Sequence, residues 1–497
     1  MLNQPKGLIP AALSNMGERF GFYVMMAILT LFLMSKFDLD ATEAGALYSI
    51  FYCSIYILAL VGGAIADKTK NYKGTIIAGL IVMSLGYALL AIPAIITTKY
   101  IALGALLVIA FGNGLFKGNL QAVVGQLYDN PKYAEKRDSG FQIFYMFINI
   151  GGCIAPFIAV WVRNTFVKMQ GYAYHAELPG LCNRVLDGKE FDENLFLEYA
   201  NQVSETEVNL ETLKEFAQNY LDAFNTGFHY AFSVAIIAML ISLAIFLIFK
   251  KSLPTPGQKK AGAKMDAAEV RQSAKEIKQR ILALMAVFGI VIFFWFSFHQ
   301  NGLTLTMFAK DYTQLSLGGM QLSAEVFQSI NPFVVVFLTP VVMMIFSALA
   351  RKGKEPSTPA KIAIGMGIAA SAYVVMAIAS VSLPSQPSLD GNPVPEADKV
   401  TPMVLFAVYF ILTIAELFIS PLGLSFVSKV APTHLQGLMQ GCWLGATAIG
   451  NACLFLGALM YQNISLSATW GVFAIVCFIS MGVMFAMVKW LERVTAA

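Results

Sequence analysis

Residues 226–280 read TGFHYAFSVAIIAMLISLAIFLIFK and then KSLPTPGQKKAGAKMDAAEVRQSAKEIKQR. The first part, to residue 249, is an apolar run long enough to cross a bilayer. From Lys250 onward the chain holds nine Lys and Arg against Asp266, Glu269 and Glu276. Pro254, Pro256 and Gly257 open this stretch, and the rest reads as a basic, mostly polar helix. Working outward, five more apolar segments precede it, at 9–35, 42–66, 74–96, 100–128 and 140–162. Six follow, at 281–309, 323–350, 361–383, 401–430, 436–461 and 467–491. The basic stretch therefore divides six candidate spans from six.

Composition agrees. The 497 residues are 57% hydrophobic and 13% charged, against roughly 45–50% and about 25% in soluble domains. Mean hydropathy is +0.65. Twelve spans leave no room for a large soluble catalytic domain, and the long apolar runs exclude an alternating outer-membrane barrel. A net charge of +4 gives no sign of a nucleic-acid partner. Cys53, Cys153, Cys442, Cys453 and Cys477 lie in apolar runs and only Cys182 in a polar stretch. Without a CxxC or His/Cys cluster, neither a disulfide framework nor a metal is expected. No nucleophile–base pair or nucleotide loop points to an enzyme, and no cofactor is expected. The first apolar stretch contains Glu18-Arg19 and runs to about residue 35, too long for a cleavable signal.

Short loops set the orientation. Lys68, Lys70 and Lys73 follow span two; Lys132, Lys136 and Arg137 follow span four; Arg351, Lys352, Lys354 and Lys361 follow span eight. Lys99 alone separates spans three and four. The basic loops and both termini are expected in the cytoplasm, in a multi-pass protein of the cytoplasmic (inner) membrane. Residues 163–224 form an acidic insert on the outer side, with five basic against eleven acidic residues. Within it, Ser204-Glu-Thr-Glu207 reads as a capping box opening a helix near 205–223. The insert is expected to lie outside the bundle and to be dispensable.

The resulting expectation is an all-α membrane protein of twelve transmembrane helices. Residues 1–250 form one six-helix bundle with the insert, 251–280 a cytoplasmic linker, and 281–497 the second bundle. Two such halves resemble the major facilitator architecture, with a midplane site between them.

A charge at a helix centre costs roughly 2.5–3.5 kcal/mol on insertion scales, so each one in the spans calls for a reason. They are Glu18 and Arg19 in span one, Lys117 in span four and Glu416 in span ten, with the titratable His299 in span seven. Asn15, Arg19 and Tyr23 stand at i, i+4 and i+8, and Glu18 falls near the same face. An Arg beside a Glu there suits carboxylate binding or proton linkage; a structural ion pair is the alternative. Lys117 sits among small residues at 112–119 that permit close packing. Lys117 and Glu416 lie in different halves, so a pair between them would bridge the bundles and could gate. Tyr56, Asn149, Trp295, Asn331 and Trp443 complete the candidate set, packing being the alternative for each.

These residues fall in a recognisable order. Asn15-Met-Gly-Glu-Arg-Phe-Gly-Phe-Tyr23, Gly62-Gly-Ala-Ile-Ala-Asp67 and Phe141-Gln-Ile-Phe-Tyr-Met-Phe-Ile-Asn-Ile-Gly-Gly152 resemble signatures of the proton-dependent oligopeptide transporter family. Phe294-Trp295 with Gln300, Asn331-Pro332, Ala415-Glu416 with Ser420-Pro421, and Gly441-Cys-Trp443 fit its second half. The resemblance implies uptake of di- and tripeptides by proton symport, in a chain expected to act as a monomer in the lipid bilayer. It implies that Arg19, Tyr56, Lys117 and Asn149 engage the peptide carboxylate, with Tyr23 on the Arg19 face. Asn331 and Glu416 would engage the amino end, and Trp295 and Trp443 would line side-chain pockets. Lys117 and Glu416 would gate the inner side.

The chain departs from the family at three positions. Asn15 replaces the first motif Glu, Met26 a usual second Arg, and His299 an acid four residues after the Trp. The last two are the family's outer-gate partners, lost together. Proton coupling would then rest on Glu18, His299 and Glu416. The linker is also too short and basic for the extra helix pair of many bacterial members. The alternative readings are a carrier of another small zwitterion or organic anion with altered or absent proton coupling, and a non-transporting receptor using the insert.

Overall fold

The computed structural model describes residues 4–128, 132–133, 137–254, 267–317, 320–389, 392–431 and 436–496, and they are nearly all helical. A backbone in hydrocarbon must satisfy its own N–H and C=O groups, which a helix does within one segment. The first half runs α1 (Leu8–Phe37), α2 (Ala41–Thr69), α3 (Tyr72–Ala91), α4 (Lys99–Leu127), α5 (Arg137–Met169), α6 (Leu178–Asp187), α7 (Glu193–Val203) and α8 (Leu213–Phe249). The second runs α9 (Ala267–Phe298), α10 (Thr304–Tyr312), α11 (Ile330–Arg351), α12 (Thr358–Ala379), α13 (Pro402–Val430), α14 (Gln436–Ala452), α15 (Phe455–Asn463) and α16 (Leu466–Ala496). With α9–α10 and α14–α15 each counted once, and the short α6 and α7 left out, twelve spans among the described residues are long and apolar enough to cross a membrane. Polar residues start the helices at the turns. Asp40 accepts from Glu43 N at 2.7 Å, Asn71 from Gly74 N at 2.9 Å and Thr98 from Ile101 N at 3.3 Å.

The small residues around Lys117 do what their spacing implies. A Cβ on Gly62 of α2 would run into the Gly114 carbonyl oxygen, and one on Gly114 into that of Leu58. A Cβ on Gly112 would stand 2.7 Å from the Met83 backbone nitrogen of α3. Three backbones thus meet at α4, which fixes the helix that carries Lys117.

Spans seven and eleven are broken, and the breaks are adjacent. A 3-10 turn at His299–Gly302 separates α9 from α10. Gln300 Nε2 donates to Leu454 O at 3.2 Å in the α14–α15 break and to Phe296 O at 3.3 Å. Thr304 Oγ1 donates to Gln300 Oε1 at 2.5 Å. Gly457 makes room, since a Cβ there would fall 2.5 Å from the Gln300 amide. One glutamine therefore serves the carbonyls that both breaks free.

The insert differs from the expectation. The helix placed near 205–223 starts at Leu213 and continues unbroken through span six to Phe249. Ser204 ends α7 instead, and its hydroxyl accepts from Thr206 N at 3.2 Å. Asn209 Oδ1 accepts from Glu211 N at 3.0 Å and Thr212 N at 3.1 Å, an Asx turn that delays the helix start. At the other end α5 runs on to Met169, so Arg163 belongs to a span. Nor does the insert lie free. Leu178, Leu181, Cys182 and Phe196 are buried, and Asn183 Nδ2 donates to Ser35 O of α1 at 3.1 Å. The described part of the linker, from Ala267, is continuous with span seven; residues 255–266 lie outside the described residues.

Cross-half contacts gather at the insert end. Thr30 Oγ1 donates to Gly302 O at 3.2 Å, Gln328 Nε2 to Ala27 O at 3.2 Å, and Thr42 Oγ1 to Gln462 Oε1 at 2.8 Å. The molecule is closed at that end.

Candidate transport site

Burial and pairing divide the candidate residues into four groups. In the first, Glu18 and Arg19 are buried on α1 and doubly bonded, Nε to Oε2 at 2.6 Å and Nη2 to Oε1 at 2.7 Å. Asn113 Nδ2 of α4 also donates to Glu18 Oε1 at 2.7 Å. Asn113 lies one turn before Lys117, so an i, i+4 reading of α4 could have found it.

The second group is Lys117 and Tyr56. The ammonium lies 5.0 Å from the centroid of the Tyr56 ring, a cation–π distance. Lys117 makes no ion pair among the described residues and lies within electrostatic reach of Arg19 and Glu18. It does not meet Glu416 in this conformation.

The third group holds Glu416. Asn331 Nδ2 donates to Glu416 Oε2 at 2.7 Å and to Thr413 Oγ1 at 3.1 Å. No cation pairs with Glu416 among the described residues. Tyr23 and Tyr56 lie within electrostatic reach of both Arg19 and Glu416, and Tyr145 of Glu416. Tyr23, Tyr56, Lys117, Asn331 and Glu416 are partly accessible and Tyr145 is exposed, although all sit within spans. Tyr23 and Tyr56 thus stand between the Arg19 side of the first half and Glu416 of the second.

The fourth group surrounds His299. The imidazole stacks on Trp295 at 4.8 Å and lies 4.8 Å from Tyr52 of α2. Its Nδ1 is 2.5 Å from Asn451 Oδ1, an acceptor, so Nδ1 is assigned the proton. His299 thus ties the break in span seven to that in span eleven and faces the other half. Trp295 Nε1 has no hydrogen-bond partner among the described residues. Asn149 and Trp443 are the least engaged. Asn149 Nδ2 donates to Tyr145 O of its own helix at 3.0 Å. Trp443 packs onto α13, where a Cβ on Gly423 would clash with its ring.

Sequence reasoning passes over Asn113, Tyr145, Asn451 and a buried Arg163–Glu325 pair. Glu325 lies inside the segment 323–350 and Arg163 one residue beyond 140–162, so both were within reach of a search for charges in spans.

Twelve membrane-length helices in two six-helix halves have the major facilitator fold of a transporter family. The chain belongs to the POT family, whose model matches residues 73–270 and 250–472. It is similar to the peptide transporter YePEPT of Yersinia enterocolitica subsp. palearctica, 29% identical over 88% of this chain and 84% of that one. It is 26% identical to dipeptide and tripeptide permease A of Escherichia coli, over 90% and 83%. Solved structures share the fold: a peptide transporter POT in complex with sulfate has a TM-score of 0.74 at 22% identity, over 99% and 96% of the chains. A POT family transporter in complex with 5-aminolevulinic acid has a TM-score of 0.75 at 20% identity, over 99% and 98%. The family is one of transporters, not enzymes.

Proposed function

We propose that this chain takes up di- and tripeptides by proton-coupled alternating access, with the insert end outside and both termini in the cytoplasm. One observation carries the reading: Lys117 and Glu416 are partly buried charges of opposite sign, on opposite halves, and neither has a counter-ion among the described residues. Leaving a charge in low dielectric without a partner is costly. A zwitterion with its carboxylate at Lys117 and its ammonium at Glu416 satisfies both and draws the halves together. Relatives named for peptide transport support peptides as that zwitterion. The basic loops at the end opposite the insert support the orientation.

Arg19 is engaged by Glu18, so an arriving carboxylate competes with Glu18 for the guanidinium. Glu18 released in this way becomes available to a proton, which links substrate and proton through one cation. His299 and Glu416 are the other two candidate carriers. Gate closure at the termini end would bring Lys117 and Glu416 together.

The test is counterflow of a labelled dipeptide in proteoliposomes, with competition by unlabelled di- and tripeptides and by 5-aminolevulinate. Competition by peptides supports the proposal. Competition by the single zwitterion alone would replace it with a carrier of small amino acids, and no counterflow at all would leave a receptor.

A further inference from the structure

Where spans seven and eleven break, three side chains meet, and two of them hold donors with nothing to donate to. The His299 imidazole stacks on Trp295 with ring centroids 4.8 Å apart, and its Nδ1 is 2.5 Å from Asn451 Oδ1. A Cβ on Gly450 would stand 2.9 Å from the Trp295 Cβ, so the indole lies against the backbone that carries Asn451. Trp295 is 7% exposed and Asn451 0%. Yet Trp295 Nε1 and Asn451 Nδ2 have no hydrogen-bond partner among the described residues. Buried donors are nearly always satisfied, and each one left without an acceptor is costly. Two such donors beside one imidazole point to an acceptor that arrives from outside the chain.

The surroundings limit what that acceptor is. Tyr52 of α2 closes the corner from the first half, its ring 4.8 Å from the imidazole. Tyr56 stands one turn further along α2, with ring centroids 5.9 Å apart, and the Lys117 ammonium lies 5.0 Å from the Tyr56 centroid. Lys117 is also the charge within electrostatic reach of His299. The corner therefore offers N–H donors in a field set by a cation, which suits a carboxylate or amide oxygen and repels an ammonium. An acidic side chain in place of His299 would accept from these donors itself. The imidazole, whose Nδ1 is engaged as a donor to Asn451 Oδ1, leaves them open.

Lys117 also decides which part of a peptide reaches the corner. With the terminal carboxylate at Lys117, the Tyr56 and Tyr52 rings lead from that carboxylate to His299. The group that extends along them is the side chain of the last residue.

We propose that Trp295 Nε1 and Asn451 Nδ2, framed by His299 and Tyr52, form a specificity subsite for a carboxylate or amide oxygen on the side chain of a peptide's C-terminal residue. This rests on the peptide reading and adds a selectivity to it.

The test is competition against counterflow of labelled dialanine in proteoliposomes of the full chain. The competitors are alanylglutamine, alanylglutamate, alanylleucine and alanyllysine, together with the reversed pair glutaminylalanine and leucylalanine. In wild type, alanylglutamine and alanylglutamate should compete better than alanylleucine on the order of tenfold, with alanyllysine weakest and the reversed pair nearly equal. Trp295→Phe keeps the ring on the imidazole but removes Nε1–H, and should cut the preference for alanylglutamine over alanylleucine severalfold. Asn451→Asp keeps the oxygen at His299 but removes the amide donors, and should abolish that preference. His299→Glu should reverse the charge order, so that alanyllysine competes better than alanylglutamate; a merely structural role would weaken all competitors alike. Equal competition across the alanyl series, an equal preference in the reversed pair, or a preference undiminished in the folded variants each overturns the proposal, and the wild-type series needs no variant to fold. Equal competition by every dipeptide overturns the subsite alone, whereas no competition by any dipeptide removes the peptide reading and the subsite with it.

Discussion

Replacing Glu416 by Gln should abolish the preference for a free amino terminus while leaving the fold intact. The glutamine amide oxygen keeps the acceptor that Asn331 Nδ2 uses at 2.7 Å, and Asn331 stays held at Thr413 Oγ1. What is lost is the charge facing the ligand. Truncating one partner of a desolvated charge pair costs about 2–5 kcal/mol, or roughly 30- to several-thousand-fold in affinity. The assay is a cycle: uptake of dialanine and of N-acetyl-dialanine by wild type and by Glu416→Gln. Wild type should prefer the free amine by at least the lower figure, and the variant should barely discriminate. A parallel fall for both substrates, or discrimination unchanged in the variant, would refute the assignment of Glu416 to the ammonium.

His299→Gln keeps a hydrogen-bonding group next to Asn451 but cannot titrate, so uptake should persist with a flattened pH profile; an unchanged profile would leave coupling to Glu18 and Glu416. Asn113→Leu removes one of the three donors on Glu18, a loss of about 1–3 kcal/mol for a buried acceptor. Uptake should fall and its pH profile shift, and no change in either would take Glu18 out of the mechanism. In the insert, burial and then Lys399 lower the His175 pKa from 6.5 to about 4. The unfolded chain therefore binds that proton more readily, and stability is lost as pH falls from about 6.5 toward 4. Between pH 7 and 5 this amounts to about 2 kcal/mol. Burial raises the Glu177 carboxyl, which acts in the opposite sense, so the measurement is the difference in thermal midpoint between wild type and His175→Gln across that range. Equal slopes would show that His175 does not set the acid sensitivity.

The spans are legible in the sequence because apolar runs of bilayer length, twelve times over, suit membrane-crossing helices and little else. Gly112 and Gly114 likewise announce the close approach at α4. The insert is not legible, because α6 and α7 are short amphipathic helices whose formation depends on packing against α8 and α1. The local capping signal at Ser204 loses to an Asx turn at Asn209. Hydropathy also cannot see the breaks in spans seven and eleven, which rest on Gln300 reaching across to Leu454. At the site, Glu18, Arg19, Lys117 and Glu416 are conspicuous as charges in apolar runs. Asn331 beside Pro332 is marked as well, but Asn113, the neutral partner of Glu18, is not, and neither is Asn451, which lies 152 residues from its partner His299. The Arg163–Glu325 pair spans 162 residues, and nothing local marks either as the other's counter-ion.

The central claim is tested most directly by dialanine uptake into proteoliposomes with and without an imposed pH gradient, alkaline inside. The account requires accumulation above equilibrium when the gradient is present, its collapse when a protonophore is added, and simple equilibration without a gradient. Equilibration at the same rate and to the same level under both conditions would contradict proton coupling, and no dialanine entry under either would contradict peptide transport itself.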